Sequence, residues 1–274
     1  MDIVVSGLTF SYPSGVTALN GIDLTVPSGQ RLAIVGQNGA GKTTLVRHFN
    51  GIFRPTAGSV TIGDWDTRDR DIAELAARVG YVFQNPDEQL FARSIRDEVG
   101  FGPKNLGVDA DDIPARVARA LERSGLPGRE DDHPYHLSLS ERKRVALASV
   151  LAMETPIVVL DEPTTGQDAR GVALIGDVVG ELAAEGRTVV AITHDMDFCA
   201  ETFDRVLVMA NGRIIADGTP AEAFTRLEAL EEAHVEPPQL ERLRTGLRMP
   251  DPVTTVEGFV DQFATRSRPP KPKR

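Results

Sequence analysis

An α/β fold built on a mostly parallel sheet is what this sequence predicts, and two stretches carry the prediction. From residue 157 onward, strand-like apolar runs alternate with a helical pattern: a strand at 157–160, a helix at about 169–184, a strand at 188–192, then two more strands at 205–209 and 213–216. Alternation of this kind implies parallel strands joined by crossovers. The run at 157–160, Ile-Val-Val-Leu, is apolar without a break, as suits a strand buried on both faces. The second stretch lies near the start, where a strand pattern at 30–35 runs into a glycine-rich segment and then a helical pattern to about residue 49.

Turn chemistry delimits the remaining elements. Residues 3–10 and 17–26 read as strands, separated by Pro13-Ser14-Gly15 and ended by Pro27-Ser28-Gly29. Further strands are expected at 58–62 and 80–83. From about 86 to 153 the pattern is helical, with turns expected at Gly102-Pro103 and at 125–128. Beyond about Pro220 the chain is helical and more polar, broken at Pro237-Pro238 and Pro250-Asp251-Pro252. Residues 267–274 are rich in Pro, Lys and Arg and are expected to be disordered; they could be a solvated tail or touch anionic lipid.

Composition narrows the function. A chain of 274 residues holds one large α/β domain or one domain with an appendage, and 41% hydrophobic residues suffice for a real core. The formal net charge of -10 argues against nucleic acid as the main partner, because phosphate backbones are bound by clustered Lys and Arg. The single cysteine, Cys199, excludes a disulfide framework and fits a reducing compartment as a small buried apolar residue. No apolar run approaches the roughly 18–20 residues needed to span a bilayer, and the first residues lack the pattern of a signal peptide. A cytosolic protein is expected, with any membrane role carried by a partner.

The glycine-rich segment is Gly36-Gln37-Asn38-Gly39-Ala40-Gly41-Lys42-Thr43-Thr44. It matches G-x-x-x-x-G-K-[ST], the phosphate loop that places backbone N–H groups around the phosphates of a nucleotide such as ATP. Lys42 is expected to reach the β- and γ-phosphates and the Thr43 hydroxyl to ligate Mg²⁺. The strand at 157–160 ends in Asp161-Glu162, at the same sheet edge as that loop. Asp161 is placed to hold Mg²⁺ through a water, and Glu162 to orient and polarise the attacking water. The alternative is a pair of acidic residues capping a strand.

Beyond these elements the first 225 residues or so resemble an ABC ATPase. Tyr12 stands where that family places an aromatic that stacks on adenine, and Gln84 matches the glutamine that touches Mg²⁺ and leads into the helical subdomain. Leu137-Ser138-Leu139-Ser140-Glu141 occupies the place of the signature Leu-Ser-Gly-Gly-Gln, whose serine, here Ser138, contacts nucleotide. Thr165-Gly166-Gln167-Asp168 resembles the loop through which two subunits meet, and His194 matches the switch histidine on the γ-phosphate. The resemblance implies a P-loop NTPase of the ABC ATPase fold. Its parts are an N-terminal antiparallel β subdomain, a mostly parallel core sheet, a helical signature subdomain at about 85–153 and a C-terminal extension at 226–274. Two such domains would face each other head to tail, each ATP lying between one subunit's phosphate loop and the other's signature.

A narrower likeness runs through residues 83–91 and 97–103, which are similar to the ATPases of energy-coupling factor importers of vitamins or transition-metal ions. Residues 236–239 and 255–259 look like the extension by which those subunits dimerise. The likeness implies a peripheral protein at the cytoplasmic face of the membrane, partnered by a second ATPase, a transmembrane coupling subunit and a substrate-binding membrane subunit. The transported substrate is not legible, and homodimer and heterodimer both stay open. One departure stands out. Leu139 and Ser140 replace the two signature glycines, so side chains are expected to crowd the approach to the partner's γ-phosphate. Ser138-x-x-Glu141 also reads as a capping box, which would occupy the Ser138 hydroxyl.

Three rival functions fit parts of the sequence. A DNA-repair or translation ABC ATPase carries two ATPase halves or a long coiled coil, whereas this chain has one half and no heptad run. A P-loop kinase or GTPase leaves Gln84, the signature and His194 unexplained, and no Asn-Lys-x-Asp motif is present. A nucleotide-binding subunit with a degenerate site is supported by Leu139 and Ser140 and opposed by Glu162 and His194.

Overall fold

The structure, a computed structural model, describes residues 1–251 and 255–266. Its strands are β1 (Ile3–Ser11), β2 (Thr17–Val26), β3 (Arg31–Val35), β4 (Ala57–Ile62), β5 (Trp65–Asp66), β6 (Val79–Val82), β7 (Ile157–Asp161), β8 (Thr188–Ile192), β9 (Arg205–Ala210) and β10 (Arg213–Gly218). They form two sheets. The larger runs β10-β9-β3-β8-β7-β6, parallel except for β10, which pairs antiparallel with β9. The smaller, β2-β1-β4-β5, is antiparallel throughout.

The uninterrupted apolar runs of the central strands are divided by the pleat between two cores. Leu32 and Ile34, Ile157 and Val159, Val190 and Ile192, and Leu207 and Met209 face the core shared with the antiparallel sheet. The alternate residues, Ala33 and Val35, Val158 and Leu160, Val189 and Ala191, and Val206 and Val208, face a second core covered by helices. Because successive side chains point to opposite faces, a strand covered on both sides needs apolar residues at every position. The mostly parallel core and N-terminal antiparallel sheet agree with the fold read from sequence.

The helices are α1 (Lys42–Val46), α2 (Ile72–Ala76), α3 (Ile95–Asn105), α4 (Ile113–Arg123), α5 (Leu139–Met153), α6 (Ala169–Ala184), α7 (Met196–Thr202), α8 (Pro220–Thr225), α9 (Leu227–Glu232), α10 (Gln239–Gly246) and α11 (Val256–Arg266). α3, α4 and α5 pack on one another as the helical subdomain.

Two local expectations are corrected, and one short strand is added. α1 does not reach residue 49: His48 and Phe49 bond back only three residues, to Leu45 and Val46, and Gly51 turns the chain at φ 74°. The turn expected at Gly102-Pro103 is the last part of α3. Pro103 removes one helical N–H, but the Leu106 N–H bonds Gly102 O and the Val108 N–H bonds Pro103 O, which closes the end of the helix past it. β5 was not expected; its two residues fold back across the turn at Gly63 to pair antiparallel with β4 and are too few to show a pattern. Residues 226–233 pack onto the helix-covered core, with Leu230 and Ala233 buried, and the Gln37 N–H donates to Ala233 O at 2.9 Å. The disorder expected at 267–274 lies outside the described residues. Cys199 is fully buried, and burial pushes its thiol up, so it is an inert core residue.

Candidate functional site

The site is assembled where β3 and β7 end side by side across β8. β3 delivers the phosphate loop, and two of its glycines are dictated by packing. A Cβ on Gly36, at φ 146°, would lie 2.2 Å from Met209 O, and one on Gly41, at φ 100°, would lie 2.7 Å from Ala18 O. The loop therefore wraps closely against β9 and β2 only because both side chains are missing. Gly36→Ala is expected to destabilise the fold by about 3 kcal/mol and to abolish nucleotide binding. Thermal melting and a nucleotide titration check this, and an unchanged variant would contradict the packing described.

Lys42 opens α1 and folds back over the loop, donating from Nζ to Gly36 O at 2.6 Å and Gln37 O at 3.0 Å. Burial pulls its ammonium down, opposed by the charges of Glu162 and Asp161. Those carboxylates keep the cation in place at the mouth of the loop, where phosphate oxygens can replace the two carbonyls as its acceptors. Next to it, Thr44 Oγ1 lies 2.8 Å from the Tyr12 hydroxyl. The Tyr12 ring packs edge-on against Phe10 and Phe53.

Asp161 ends β7 in a buried position. Its Oδ2 accepts from the Tyr81 hydroxyl at 2.7 Å, while its Oδ1 is buried with no hydrogen-bond partner among the described residues. Burial pushes the Asp161 carboxyl up, opposed by the hydroxyls of Tyr81 and Thr43 and the charges of Arg47 and Lys42. Tyr81 is itself pushed up by burial and by the Asp161 charge, so it stays a donor. The orphaned carboxylate oxygen, the Thr43 hydroxyl and the Gln84 amide line one cleft and offer it hard oxygen donors. That set fits Mg²⁺, which takes few protein ligands and keeps several waters.

Glu162 follows in the left-handed region at φ 52°, a conformation that a non-glycine residue adopts only when its surroundings hold it. Three contacts do so. Its N–H donates to Ile192 O at 2.9 Å, its carbonyl accepts from Lys143 Nζ at 2.9 Å, and its Oε2 lies 2.8 Å from His194 Nδ1. The last pair is close but not aligned as a hydrogen bond. Glu162 is buried, whereas the His194 side chain is 66% exposed at the rim.

These groups open on a cleft of about 310 Å³. Tyr12, Asn38, Gly39, Gly41, Lys42, Thr43, Thr44, Gln84, Asp161 and Glu162 all line it. Gly36, Gln37 and Ala40 belong to the loop behind that wall, and His194 reaches the group through Glu162. Ser138 is the residue not brought there; it caps α5. Its Oγ accepts from the Glu141 N–H at 3.3 Å, and Glu141 Oε2 accepts in return from the Ser138 N–H at 2.9 Å, which closes the capping box; the Ser138 hydroxyl also donates to Glu141 Oε2 at 2.8 Å.

The two residues that replace the signature glycines differ from each other. Leu139 is 47% exposed. Ser140 is turned away, donating from Oγ to Gln167 Oε1 at 2.7 Å and accepting at its carbonyl from Gln167 Nε2 at 3.2 Å. Of the two side chains expected to crowd the approach, that of Ser140 is taken up within the chain and that of Leu139 is left exposed. Sequence reasoning also missed Tyr81, Lys143 and Val16, the last an exposed apolar residue on the cleft wall after the Tyr12 turn.

A phosphate loop on β3, paired acidic residues ending β7 and a histidine after β8 define the class, and comparison with known proteins gives the family. A family model described as ABC transporter matches residues 19–165, and the chain belongs to that family. It is similar to the energy-coupling factor transporter ATP-binding protein EcfA of Methanothermobacter thermautotrophicus, 44% identical over 249 residues, or 90% of this chain and 80% of that one. The EcfA2 protein of Symbiobacterium thermophilum is 43% identical over 272 residues, 95% of this chain and 94% of that one. Among solved structures, CbiO1 from Clostridium perfringens, part of the ABC transporter complex CbiONQ, superposes with a TM-score of 0.75. It is 37% identical, over 90% of this chain and 98% of that one. A dimeric ATP-binding cassette holding ADP and inorganic phosphate gives a TM-score of 0.73 at 25% identity, over 80% of this chain and 98% of that one.

Proposed function

We propose that this chain is the ATP-hydrolysing subunit of an energy-coupling factor importer, coupling ATP turnover to uptake of a vitamin or a transition-metal ion. The observation that carries the reading is the convergence of Lys42, Thr43, Asp161 and Glu162 on one cleft, in a chain whose relatives are energy-coupling factor ATP-binding proteins. Lys42 exchanges the carbonyls of Gly36 and Gln37 for the β- and γ-phosphates, and Tyr12 stacks on adenine. Thr43, Gln84 and Asp161 hold Mg²⁺, which when bound neutralises charge on the phosphates. Glu162 orients and polarises the attacking water, and His194, at the exposed rim, meets the γ-phosphate. The second wall of the site is the α5 start of a partner ATPase, with its Ser138 or the equivalent serine of a different chain.

No helix among the described residues is long and apolar enough to cross a membrane, so transport needs other subunits. A groove of about 270 Å³ between the helical subdomain and the part of the core around α2 and β6 supports a peripheral position at the cytoplasmic face. Its rim carries the exposed side chains of Ile72, Phe91 and Phe101, the two phenylalanines edge to face at 4.8 Å. Buried Glu98 fixes the rim by accepting from the N–H groups of Phe91 and Ala92 at 2.8 and 2.7 Å. Large apolar side chains around a concave surface suit an apolar helix of the transmembrane coupling subunit. Residues 226–274 form the extension that joins two ATPase subunits, with exposed Leu243, Val256 and Val260 available to a second chain. Phe101→Asp is expected to abolish co-purification with the coupling subunit while ATP binding persists. Retained co-purification would remove the groove from that role.

Leu139 favours a modified reading of the contributed site, in which this chain's signature serves a weak site and its phosphate loop a strong one. Leu139→Gly is then expected to raise turnover of the lone chain several-fold by clearing the approach to the γ-phosphate. Steady-state phosphate release measures this, and an unchanged rate would make Leu139 functionally silent.

A further inference from the structure

α5 does more than begin at the signature: it grips the segment after β7 at two points. Ser140 and Lys143 are three residues apart, one turn of helix, and so lie on one face. Lys143 Nζ donates to Glu162 O at 2.9 Å, and Ser140 exchanges two hydrogen bonds with Gln167 at 2.7 and 3.2 Å. Glu162 and Gln167 bound the short segment that leads from the end of β7 towards α6, whose N-cap is Asp168. The helix thus holds both ends of that segment, and the first of them is the residue at φ 52°.

The Lys143 ammonium is buried, with 9% of the residue exposed, although burial pulls it down. A cation in that place is retained when acceptors repay its desolvation. Here the acceptor is the carbonyl of Glu162, backed by the charges of Glu162 and Asp161. The Glu162 peptide is pinned on its other side by Ile192 O. Removing Lys143 leaves the carbonyl unpaired and the left-handed backbone held from one side only, so the carboxylate is free to rotate out of line.

We propose that Lys143 is a positioning residue for Glu162, and that the Ser140–Gln167 pair is the second clasp of the same device. The inference rests on the reading of Glu162 as the carboxylate that orients water. Its consequence is a mechanical link within one chain. The start of α5, offered to the partner's nucleotide, and the carboxylate that acts on this chain's own nucleotide move as one body. Engagement of either site is thereby felt at the other.

The test uses the purified full chain with Mg-ATP, alone and with its second ATPase, and compares Lys143→Met, Lys143→Arg, Gln167→Leu and Glu162→Gln with wild type. Lys143→Met, similar in length but without a donor, is expected to lower kcat about a hundredfold, the scale of a misplaced catalytic group. Its KM is expected to stay within about threefold, because nucleotide contacts are untouched. Lys143→Arg keeps a cationic donor and is expected to recover most of the rate. Gln167→Leu is expected to lower kcat several-fold, again without changing KM. A Lys143→Met enzyme with wild-type kcat, or one whose KM rises as much as its kcat falls, overturns the proposal. So does failure of Lys143→Arg to recover the rate while melting as wild type does. Should Lys143→Met fail to fold, an unchanged kcat in Gln167→Leu, at the part-buried end of the segment, overturns it instead. Loss of the Glu162 reading is seen separately, as a Glu162→Gln enzyme that turns over like wild type.

Discussion

Glu162→Gln in this chain is expected to leave Mg-ATP binding intact and to lower turnover by about a thousandfold, within the range for loss of a general base. The substitution keeps the size of the side chain and the two backbone contacts that hold residue 162, the Ile192 carbonyl and the Lys143 ammonium. What it removes is the negative charge to which we assign the polarisation of water. In a pair of unequal sites the same change in the partner is expected to matter far less, because the partner's nucleotide meets the Leu139-bearing signature. Phosphate release from the full complex, with each chain substituted in turn, measures both effects. Equal losses from the two substitutions would mean equal sites, and no loss from either would take Glu162 out of the reaction.

The second large effect is expected at Lys42. Its Nζ makes two hydrogen bonds to loop carbonyls that phosphate oxygens are suited to replace. Charge-assisted bonds of that kind contribute about 1.5–3 kcal/mol each, so Lys42→Ala is expected to weaken Mg-ATP binding by at least about a hundredfold. Asp161 also loses one of the cations that oppose its burial. Lys42→Arg keeps the charge but not the slender shape that fits a buried slot, and is expected to bind poorly as well. Calorimetric titration separates these cases. Wild-type affinity in Lys42→Ala would contradict the phosphate-loop assignment.

The parts of the fold that were legible are those whose physics is local. The strands of the core sheet announce themselves because both faces are covered, which forces apolar residues such as Ile157 to Leu160 into unbroken runs. Gly36 and Gly41 are legible for the same reason: their backbone angles and close neighbours admit no side chain. Pro103 misled because a proline late in a helix removes only one hydrogen bond, and the chain beyond it restores the end. α1 stops early because of bonds that residues 48 and 49 make to their own near neighbours, which no periodicity records.

At the site, the residues that were missed act across sequence distance. Tyr81 meets Asp161 from 80 residues away, and Lys143 reaches Glu162 across 19. Neither has a spacing or composition that marks it, and only the pairing of β6 with β7 and the packing of α5 bring them in. Ser138 shows the opposite case. Its capping box was legible because Ser138 and Glu141 are three residues apart on one turn, and the structure closes it as the spacing indicates. Leu139 and Ser140 looked alike in sequence as replacements for glycine. They part only when Gln167, 27 residues on, takes up the serine.

The most direct test of the account is phosphate release from saturating Mg-ATP by the purified full chain, measured alone and then with a second ATPase that carries a glycine signature. The expected result is slow release by the lone chain and a marked rise with the partner, because this chain's phosphate loop, Asp161 and Glu162 then face an unobstructed signature. Nucleotide bound to the cleft with no phosphate released in either condition would contradict it and leave a regulatory nucleotide-binding subunit in place of an ATPase.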